Sequence, residues 1–169
     1  MKDYFVILVF VSFFLFSNIL TKTIKSEQGL ANGQWYLIEI GRGGYCFSYK
    51  NFPKVMSEPC DKNDDNQKLR LDRNNDEWYN LVTKTGHYLD YDQINQQTLL
   101  IVKDRNNNPR QLWGIKGLRD KIYFIENQST HLAIGWNPAG YGTQLLLGKI
   151  TNGLADQEWK LVQFYGKQG

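Results

Sequence analysis

The sequence predicts an all-β protein in which one structural unit occurs three times. A glutamine followed two positions later by a large apolar residue recurs at intervals of 44 and 46 residues. An apolar, mostly aromatic segment recurs in the same rhythm, at intervals of 43 and 44 residues. Two series in phase indicate a repeated unit. Beyond the N-terminal segment, no stretch of ten residues has the 3.6-residue apolar period of a helix. The copies of the glutamine motif begin at Gln67, Gln111 and Gln157, and the copies of the apolar segment begin at Trp35, Trp78 and Ile122.

The first strand is predicted at residues 35–40, an alternating segment led by Trp35. Further short runs rich in aromatic and branched residues predict strands, and turn-forming residues separate them. Each unit therefore has an aromatic-led strand, a short second strand, a third strand after a polar loop, and a closing strand that carries the Gln-x-apolar motif. The further predicted strands are residues 45–48, 79–82, 88–91, 99–102, 122–125, 132–134 and 145–147.

Three four-stranded units predict a β-trefoil with pseudo-threefold symmetry. One unit cannot cover its own apolar face, whereas three around a common axis can close a barrel and cap it with hairpins. A propeller also has four-stranded blades, but three blades are too few to close a ring. We expect Trp35, Leu69, Trp113 and Trp159 in the shared core, where each buried side chain contributes roughly 1.5–3 kcal/mol.

The N-terminus differs in kind from the remainder. Lys2 precedes an almost unbroken apolar run from Tyr4 to Phe16, which is the pattern of a secretory signal peptide. An uncleaved membrane anchor is the alternative, although a span needs roughly 20 apolar residues. We place the cleavage near Ser26 and expect a secreted, extracellular protein with no membrane span after cleavage. The predicted divisions are a leader at 1–26 and a domain at 30–167, with repeats at about 34–76, 77–120 and 121–165.

Charge and cysteine content restrict the partners. Removing the leader takes away three lysines and one aspartate, which lowers the net charge from +3 to +1 and argues against a nucleic-acid partner. Cys46 and Cys60 are an even pair behind a signal peptide and predict one disulfide. His87 and His131 lie far from any zinc-ligand spacing, so we expect no metal and no cofactor.

The triplet Asn127-Gln128-Ser129 is a candidate N-glycosylation site. Such triplets are common by chance, and they matter only where a eukaryotic secretory pathway reads them. Both interpretations of Asn127 remain open at the level of sequence.

These elements resemble the ricin B-chain-like lectins, the QxW β-trefoils. Two of the three motifs, Gln111-Leu112-Trp113 and Gln157-Glu158-Trp159, have the full QxW form. The segment from Gly86 to Asp90 is similar to the Gly-x-x-Leu-Asp signature of that family. Cys46 and Cys60 look like the disulfide that ties two strands within one repeat. The resemblance covers about residues 33–164.

The resemblance implies a non-catalytic carbohydrate-binding protein. In that family, an aspartate on the second strand of a repeat accepts hydrogen bonds from two sugar hydroxyls, and an aromatic side chain packs on the sugar face. Charge-assisted bonds and rigid aromatic area make such a site selective. Each site is weak, so several sites together supply avidity.

In this chain the second repeat keeps most of that set. Asp90 occupies the aspartate position, with Tyr91 beside it, and Asn108 lies close to Gln111. Arg110 replaces the asparagine that precedes the glutamine in the family. Asp90 has a second interpretation, since an aspartate there can also bond a neighbouring backbone N–H. Likewise, the repeated glutamines can serve to bond backbone inside the fold.

The other repeats have lost the aspartate, with Ser48 in the first and Ala133 in the third. The third repeat has a glycine-rich loop in which Trp136 and Tyr141 could form an exposed aromatic platform. The resemblance therefore implies one surviving weak sugar site in the second repeat. The predicted carbohydrate contacts are Asp90, Tyr91, Asn108, Gln111, Trp136 and Tyr141.

The alternative function is a protein-binding trefoil whose sugar sites have decayed, such as an inhibitor or a toxin-associated subunit. Its contact surface would then be the aromatic loop of the third repeat. An enzyme is not expected, because the chain has no nucleophile elbow, phosphate-binding loop or zinc-protease motif.

Overall fold

A computed structural model describes residues 30–75, 77–136, 142–151 and 155–164. The predicted leader lies outside these ranges. Within them the protein is all-β, as the sequence predicts, and no described helix is long and apolar enough to cross a bilayer. The described strands are β1 (Gln34–Ile40), β2 (Tyr45–Ser48), β3 (Met56–Pro59), β4 (Lys68–Arg73), β5 (Trp78–Thr83), β6 (Tyr88–Ile94), β7 (Gln97–Lys103), β8 (Trp113–Arg119), β9 (Ile122–Asn127), β10 (Ala133–Gly135), β11 (Leu146–Gly148) and β12 (Trp159–Phe164).

Six of the described strands close a barrel. Going around the ring, β1 pairs with β4, β4 with β5, β5 with β8, β8 with β9, β9 with β12, and β12 returns to β1, all antiparallel. Closure leaves the ring without an exposed edge. The remaining strands form the hairpins β2–β3, β6–β7 and β10–β11. A short 3₁₀ turn containing the repeated glutamine lies just before each of β4, β8 and β12.

The two periodic series of the sequence meet across the barrel. The large apolar residue of each Gln-x-apolar motif lies directly opposite a tyrosine, and all six side chains are buried. Directly opposed side chains are the contacts that stabilise an antiparallel pair. The series share one rhythm because their members are cross-strand neighbours. The pairs are Tyr36–Leu69, Tyr79–Trp113 and Tyr123–Trp159.

The prediction that Trp35 belongs to the core is wrong. Side chains alternate between the two faces of a strand, and in β1 it is Tyr36 and Ile38 that are fully buried. Trp35 is half-buried, with the Lys84 Nζ 4.0 Å and the Arg70 guanidinium 5.5 Å from its ring centroid. The tryptophan therefore packs under two cations outside the barrel core.

The other predicted core residues, Leu69, Trp113 and Trp159, are fully buried. Each indole also finds an acceptor on a hairpin: Trp113 Nε1 donates to the Leu89 carbonyl at 3.1 Å, and Trp159 Nε1 to the Ile134 carbonyl at 2.9 Å. A buried indole N–H needs such a partner. These bonds tie β6 to β8 and β10 to β12.

The predicted disulfide between Cys46 and Cys60 is present, with Cα atoms 5.0 Å apart. It joins β2 to the residue that follows β3, and beside it the Cys60 N–H donates to the Gly44 carbonyl at 3.1 Å. The bond therefore closes the open end of the first hairpin.

Candidate functional site

The side chain of each repeated glutamine forms hydrogen bonds with the backbone of a loop that follows a hairpin. Its side-chain oxygen accepts from a backbone N–H a few positions earlier, and its Nε2 donates to a carbonyl just before that, all at 2.8–3.1 Å. All three glutamines are buried, so these bonds replace water as partners for loop backbone. The partners are Asp61 and Pro59 for Gln67, Asn106 and Asp104 for Gln111, and Thr151 and Lys149 for Gln157.

Gln111 has a further partner, the carboxylate of Asp90. Gln111 Nε2 donates to Asp90 Oδ2 at 3.1 Å, and Asn106 Nδ2 lies 3.4 Å from the same oxygen. The other oxygen, Oδ1, accepts from the Tyr91 N–H at 2.7 Å. Asp90 is 1% exposed. Its carboxylate thus faces protein groups, and it orients Gln111 and the loop that Gln111 holds.

The strand pairings identify the positions that match Asp90. The first strand of each hairpin pairs with the preceding barrel strand through a single residue. In the second hairpin Asp90 lies two positions after that residue, so the residue two positions after it in the other hairpins occupies the equivalent place. The pairing residues are Cys46, Tyr88 and Ala133, so the matching positions are Ser48, Asp90 and Gly135.

The assignment of Ala133 to the aspartate position is therefore wrong. The turn between β9 and β10 is one residue longer than that between β5 and β6, and His131 takes the positive φ, +56°, that Gly86 takes at +89°. A Cβ at Gly135 would lie 3.6 Å from the Gln157 Cγ, which mirrors the Asp90–Gln111 contact. Of the three matching positions, the second alone carries a carboxylate.

The residue after each matching position is aromatic, and in the second hairpin it is Tyr91. Its side chain is buried, its hydroxyl lies 2.9 Å from Ser129 Oγ, and the Arg110 guanidinium lies 4.4 Å from the ring centroid. Arg110, which replaces the asparagine of the lectin pattern, thus covers Tyr91.

Trp136 takes the same position in the third hairpin. It is half-buried against the core, and its indole Nε1 is buried with no hydrogen-bond partner among the described residues. Tyr141 lies outside the described residues. The aromatic platform of the third repeat therefore stays a prediction.

Tyr49, the first member of this aromatic series, gives a prediction about alkaline pH. Burial raises the pKa of Tyr49 from 10.0 to about 12, and its hydroxyl donates to main-chain carbonyls while accepting from the Lys84 N–H at 3.0 Å. The unfolded chain loses this proton first as pH rises, so the free energy of unfolding should fall between pH 10 and pH 12. Urea denaturation between about pH 8 and 12 should show a shallower decline in Tyr49→Phe than in the wild type. Equal slopes would contradict the prediction.

The glycosylation candidate, Asn127, is fully buried. Its Nδ2 donates to the carbonyls of Arg110 at 2.8 Å and Leu112 at 3.3 Å, and its Oδ1 accepts from the Ser129 N–H at 3.0 Å. This is the nitrogen to which a glycan would be joined. Attachment of a glycan replaces one of the two N–H groups, so at least one of these donated bonds, which tie β9 to the segment before β8, would be lost.

A polar cleft of about 440 Å³ lies beside Gln111. Its walls come from the end of β4, from β5, from the start of β6 and from the loop at residues 104–108. Of the predicted contacts, Asn108 and Gln111 line the cleft, while Asp90 and Tyr91 are not part of its lining. The sequence analysis missed Arg73, Tyr88 and Arg105, because no motif links the end of β4 with the start of β6 and the loop after β7.

The loop that forms one wall is held by its own polar side chains. Asn106 Oδ1 accepts from the Asn108 N–H, and Asn108 Oδ1 accepts from the Arg110 N–H, each at 3.0 Å. Asn80 Nδ2, from β5, donates to the Gln111 carbonyl at 2.8 Å. These local side-chain bonds to backbone are typical of Asn in loops. The wall is therefore held by hydrogen bonds within the loop and by a hydrogen bond from barrel strand β5.

No protein-family model matches the sequence, and no curated protein has significant sequence similarity to it. Solved structures do match its fold. ThreeFoil, a designed threefold symmetric protein, has 21% identity and a TM-score of 0.69, covering 77% of this chain and 99% of ThreeFoil. A ricin B-like lectin from Macrolepiota procera, in complex with lactose, has 18% identity and a TM-score of 0.67, covering 80% of this chain and 99% of the lectin.

An exo-β-1,3-galactanase from Clostridium thermocellum has 17% identity and a TM-score of 0.68. The match covers 80% of this chain, which spans 31% of that enzyme. At these identities the likeness shows the fold, a closed β-barrel of the trefoil type that lectins and multidomain glycosidases both contain.

Proposed function

We propose that this chain is a secreted, non-catalytic carbohydrate-binding protein with a lectin-like trefoil fold and one weak sugar site in its second unit. The observation that carries the proposal is the polar cleft beside Gln111. Its volume of about 440 Å³ lies within the roughly 300–1,000 Å³ that is usual for small-ligand sites. The same fold in a lactose-bound lectin supports this choice of ligand class.

The lining of the cleft suits a sugar. Asn74 and Asn108 offer amide groups that can bond hydroxyls, and Tyr88 offers an aromatic ring beside them. Rigid aromatic area packs well on the C–H face of a sugar ring. Because the loop is already held by hydrogen bonds, little conformational freedom is lost on binding.

Asp90 takes a positioning role in this proposal. Its carboxylate receives bonds from Gln111 Nε2 and the Tyr91 N–H, and Gln111 in turn clasps the loop that forms one wall. The aspartate contributes to the sugar site by fixing that wall. This role explains why the second unit can keep a site that Ser48 and Gly135 do not support in the others.

We also propose that the chain consists of three four-stranded units, at about 34–76, 77–120 and 121–165, arranged around a pseudo-threefold axis. The matching bonds of the three glutamines and the three tyrosine-to-apolar pairs support this. So does the regular alternation of barrel strands and hairpins.

The carboxylates at the cleft support a non-catalytic function. Glycoside hydrolysis needs two carboxyl groups flanking the bond to be cleaved. Among the residues that line the cleft the acidic one is Asp72, and both of its oxygens accept bonds from Arg70 at 2.7 Å. Secretion is supported by the apolar leader and by the Cys46–Cys60 disulfide, which suits an oxidising compartment.

A glycan array probed with the multivalently labelled protein tests the proposal, followed by calorimetry on the best ligand. Asn74 is exposed, and its side chain forms no hydrogen bond with another of the described residues. Asn74→Ala should weaken glycan binding about tenfold, as expected for one lost hydrogen bond. The matched control is Asn63→Ala, an exposed asparagine in the loop after the first hairpin, which should bind as the wild type does.

Failure of the folded protein to bind any glycan would overturn the proposed function and leave the protein-binding alternative. Sugar binding that Asn74→Ala leaves unchanged would instead remove the site from this cleft. Circular dichroism of both variants confirms that each is folded before binding is compared.

A further inference from the structure

We propose that the cleft selects saccharides that carry a negative charge, such as a carboxylate or a sulfate ester. The inference rests on the proposed sugar-binding function and goes beyond it by naming the class of glycan. It is carried by two arginines, Arg73 and Arg105, which line the cleft and have no carboxylate within ion-pair distance among the described residues.

Arg73 ends β4 at one wall of the cleft. Its NH2 group donates to the Tyr79 hydroxyl at 2.9 Å, and the guanidinium lies 5.5 Å from the centroid of that ring. One N–H of five is used by this bond. The contact therefore orients the side chain and leaves most of its donors for a ligand.

Arg105 also lines the cleft and lies in the loop whose backbone is hydrogen-bonded by Gln111. Its Nε donates to Asn107 Oδ1 at 2.9 Å, and its guanidinium lies 5.8 Å from the centroid of the Tyr88 ring. The Nε–H bond leaves both terminal nitrogens as a fork that can bind two oxygens of one anion. Arginine is the side chain best suited to such planar recognition of carboxylates and related groups.

Two acidic side chains lie near the arginines, and the one that lines the cleft is paired. Asp72, which lines the cleft, is held by Arg70 through two bonds of 2.7 Å. Asp104, next to Arg105 in the chain, has its carboxylate 3.6 Å from His87 Nε2. With Asp72 paired to Arg70, the residues that line the cleft keep the positive charges of Arg73 and Arg105, so the cleft favours anions over cations.

The neutral part of the lining distinguishes a charged saccharide from a simple anion. Asn74, Asn108 and the Tyr88 ring offer hydroxyl-bonding and ring-packing groups that an inorganic ion would not use. A ligand that fills the cleft must therefore present an acidic group to the arginines and a sugar ring to this surface.

The test compares pairs of glycans that differ only in one acidic group: a neutral oligosaccharide, its sialylated form and its sulfated form, with inorganic sulfate as a separate arm. Affinities are measured by calorimetry at low and at physiological ionic strength. We expect an acidic member to bind about tenfold more tightly than the neutral one at low salt, and the difference to shrink as salt is added. The sialylated and sulfated arms show which acidic group fits.

Arg73→Gln and Arg105→Gln should each remove most of the preference for the acidic glycan. Arg73→Lys should keep part of that preference, because lysine retains the charge but lacks the forked donors of the guanidinium. The matched control is Arg42→Gln. Arg42 is exposed in the turn between β1 and β2 and does not line the cleft, so this variant should keep the full preference.

Equal binding of neutral and acidic glycans, or a preference that survives both arginine variants, would overturn this inference and leave sugar binding intact. Absence of binding to every glycan would overturn the proposed function as well. Inorganic sulfate bound as tightly as the acidic glycan would show an anion site without saccharide selectivity, and it would also overturn the inference.

Discussion

Trp159→Ala is expected to lower the free energy of unfolding by about 3–5 kcal/mol, the usual range for removing a large buried aromatic side chain. The indole is fully buried, it meets the Phe47 ring edge-on with centroids 4.7 Å apart, and its N–H bonds the Ile134 carbonyl. Alanine would leave a cavity at the barrel core and an unsatisfied carbonyl on β10. Few single changes remove packing and a buried hydrogen bond together.

Urea denaturation followed by circular dichroism measures this loss. The matched control is Trp35→Ala, the same substitution at a half-buried tryptophan outside the core, for which we expect a loss of about 1 kcal/mol. Similar losses at Trp35 and Trp159 would contradict the placement of Trp159 at the centre of the fold. The comparison also tests the finding that Trp35 lies outside the core.

Removing the disulfide is expected to cost about 3 kcal/mol, the loop-entropy value for a closed loop of roughly this length. Cys46 and Cys60 are 14 positions apart and close the first hairpin. Cys46 is buried while Cys60 is exposed, so the suitable variant is Cys46→Ala with Cys60→Ser. Its midpoint of urea denaturation should fall accordingly.

Reduction supplies the control for the disulfide. A reducing agent should destabilise the wild type by a similar amount and should have no effect on the double variant. Wild-type stability that is indifferent to reduction would show that the first hairpin does not depend on the bond.

Much of the architecture follows from the sequence because the determinants are local and repeated. Short runs of aromatic and branched residues locate the strands. The in-phase series locate pairs such as Tyr79 and Trp113, since the members of the two series are cross-strand partners at three places in the barrel. The prediction that places Trp35 in the core is wrong by one position along the strand. Because successive side chains point to opposite faces, that shift exchanges the buried and the outer face.

The candidate site is less predictable for two physical reasons. A turn longer by one residue moves the match of Asp90 from Ala133 to Gly135, and sequence alone does not reveal which turn holds the extra residue. The cleft joins Arg73, at the end of β4, to Arg105, in the loop after β7, and the pairing of β5 with β4, β6 and β8 brings these segments together. The inward orientation of Asp90 likewise depends on Gln111, 21 positions away.

The pairing of β1 with β12 makes the barrel depend on a segment that is synthesised long after β1. This seam runs from Trp35 opposite Phe164 to Ile40 opposite Trp159, so it joins segments more than a hundred positions apart. On the ribosome, β1 gains its second neighbour only after β12 has emerged from the exit tunnel. A nascent chain that terminates before Trp159 would present β1 as an open edge, and such edges recruit strands from other molecules.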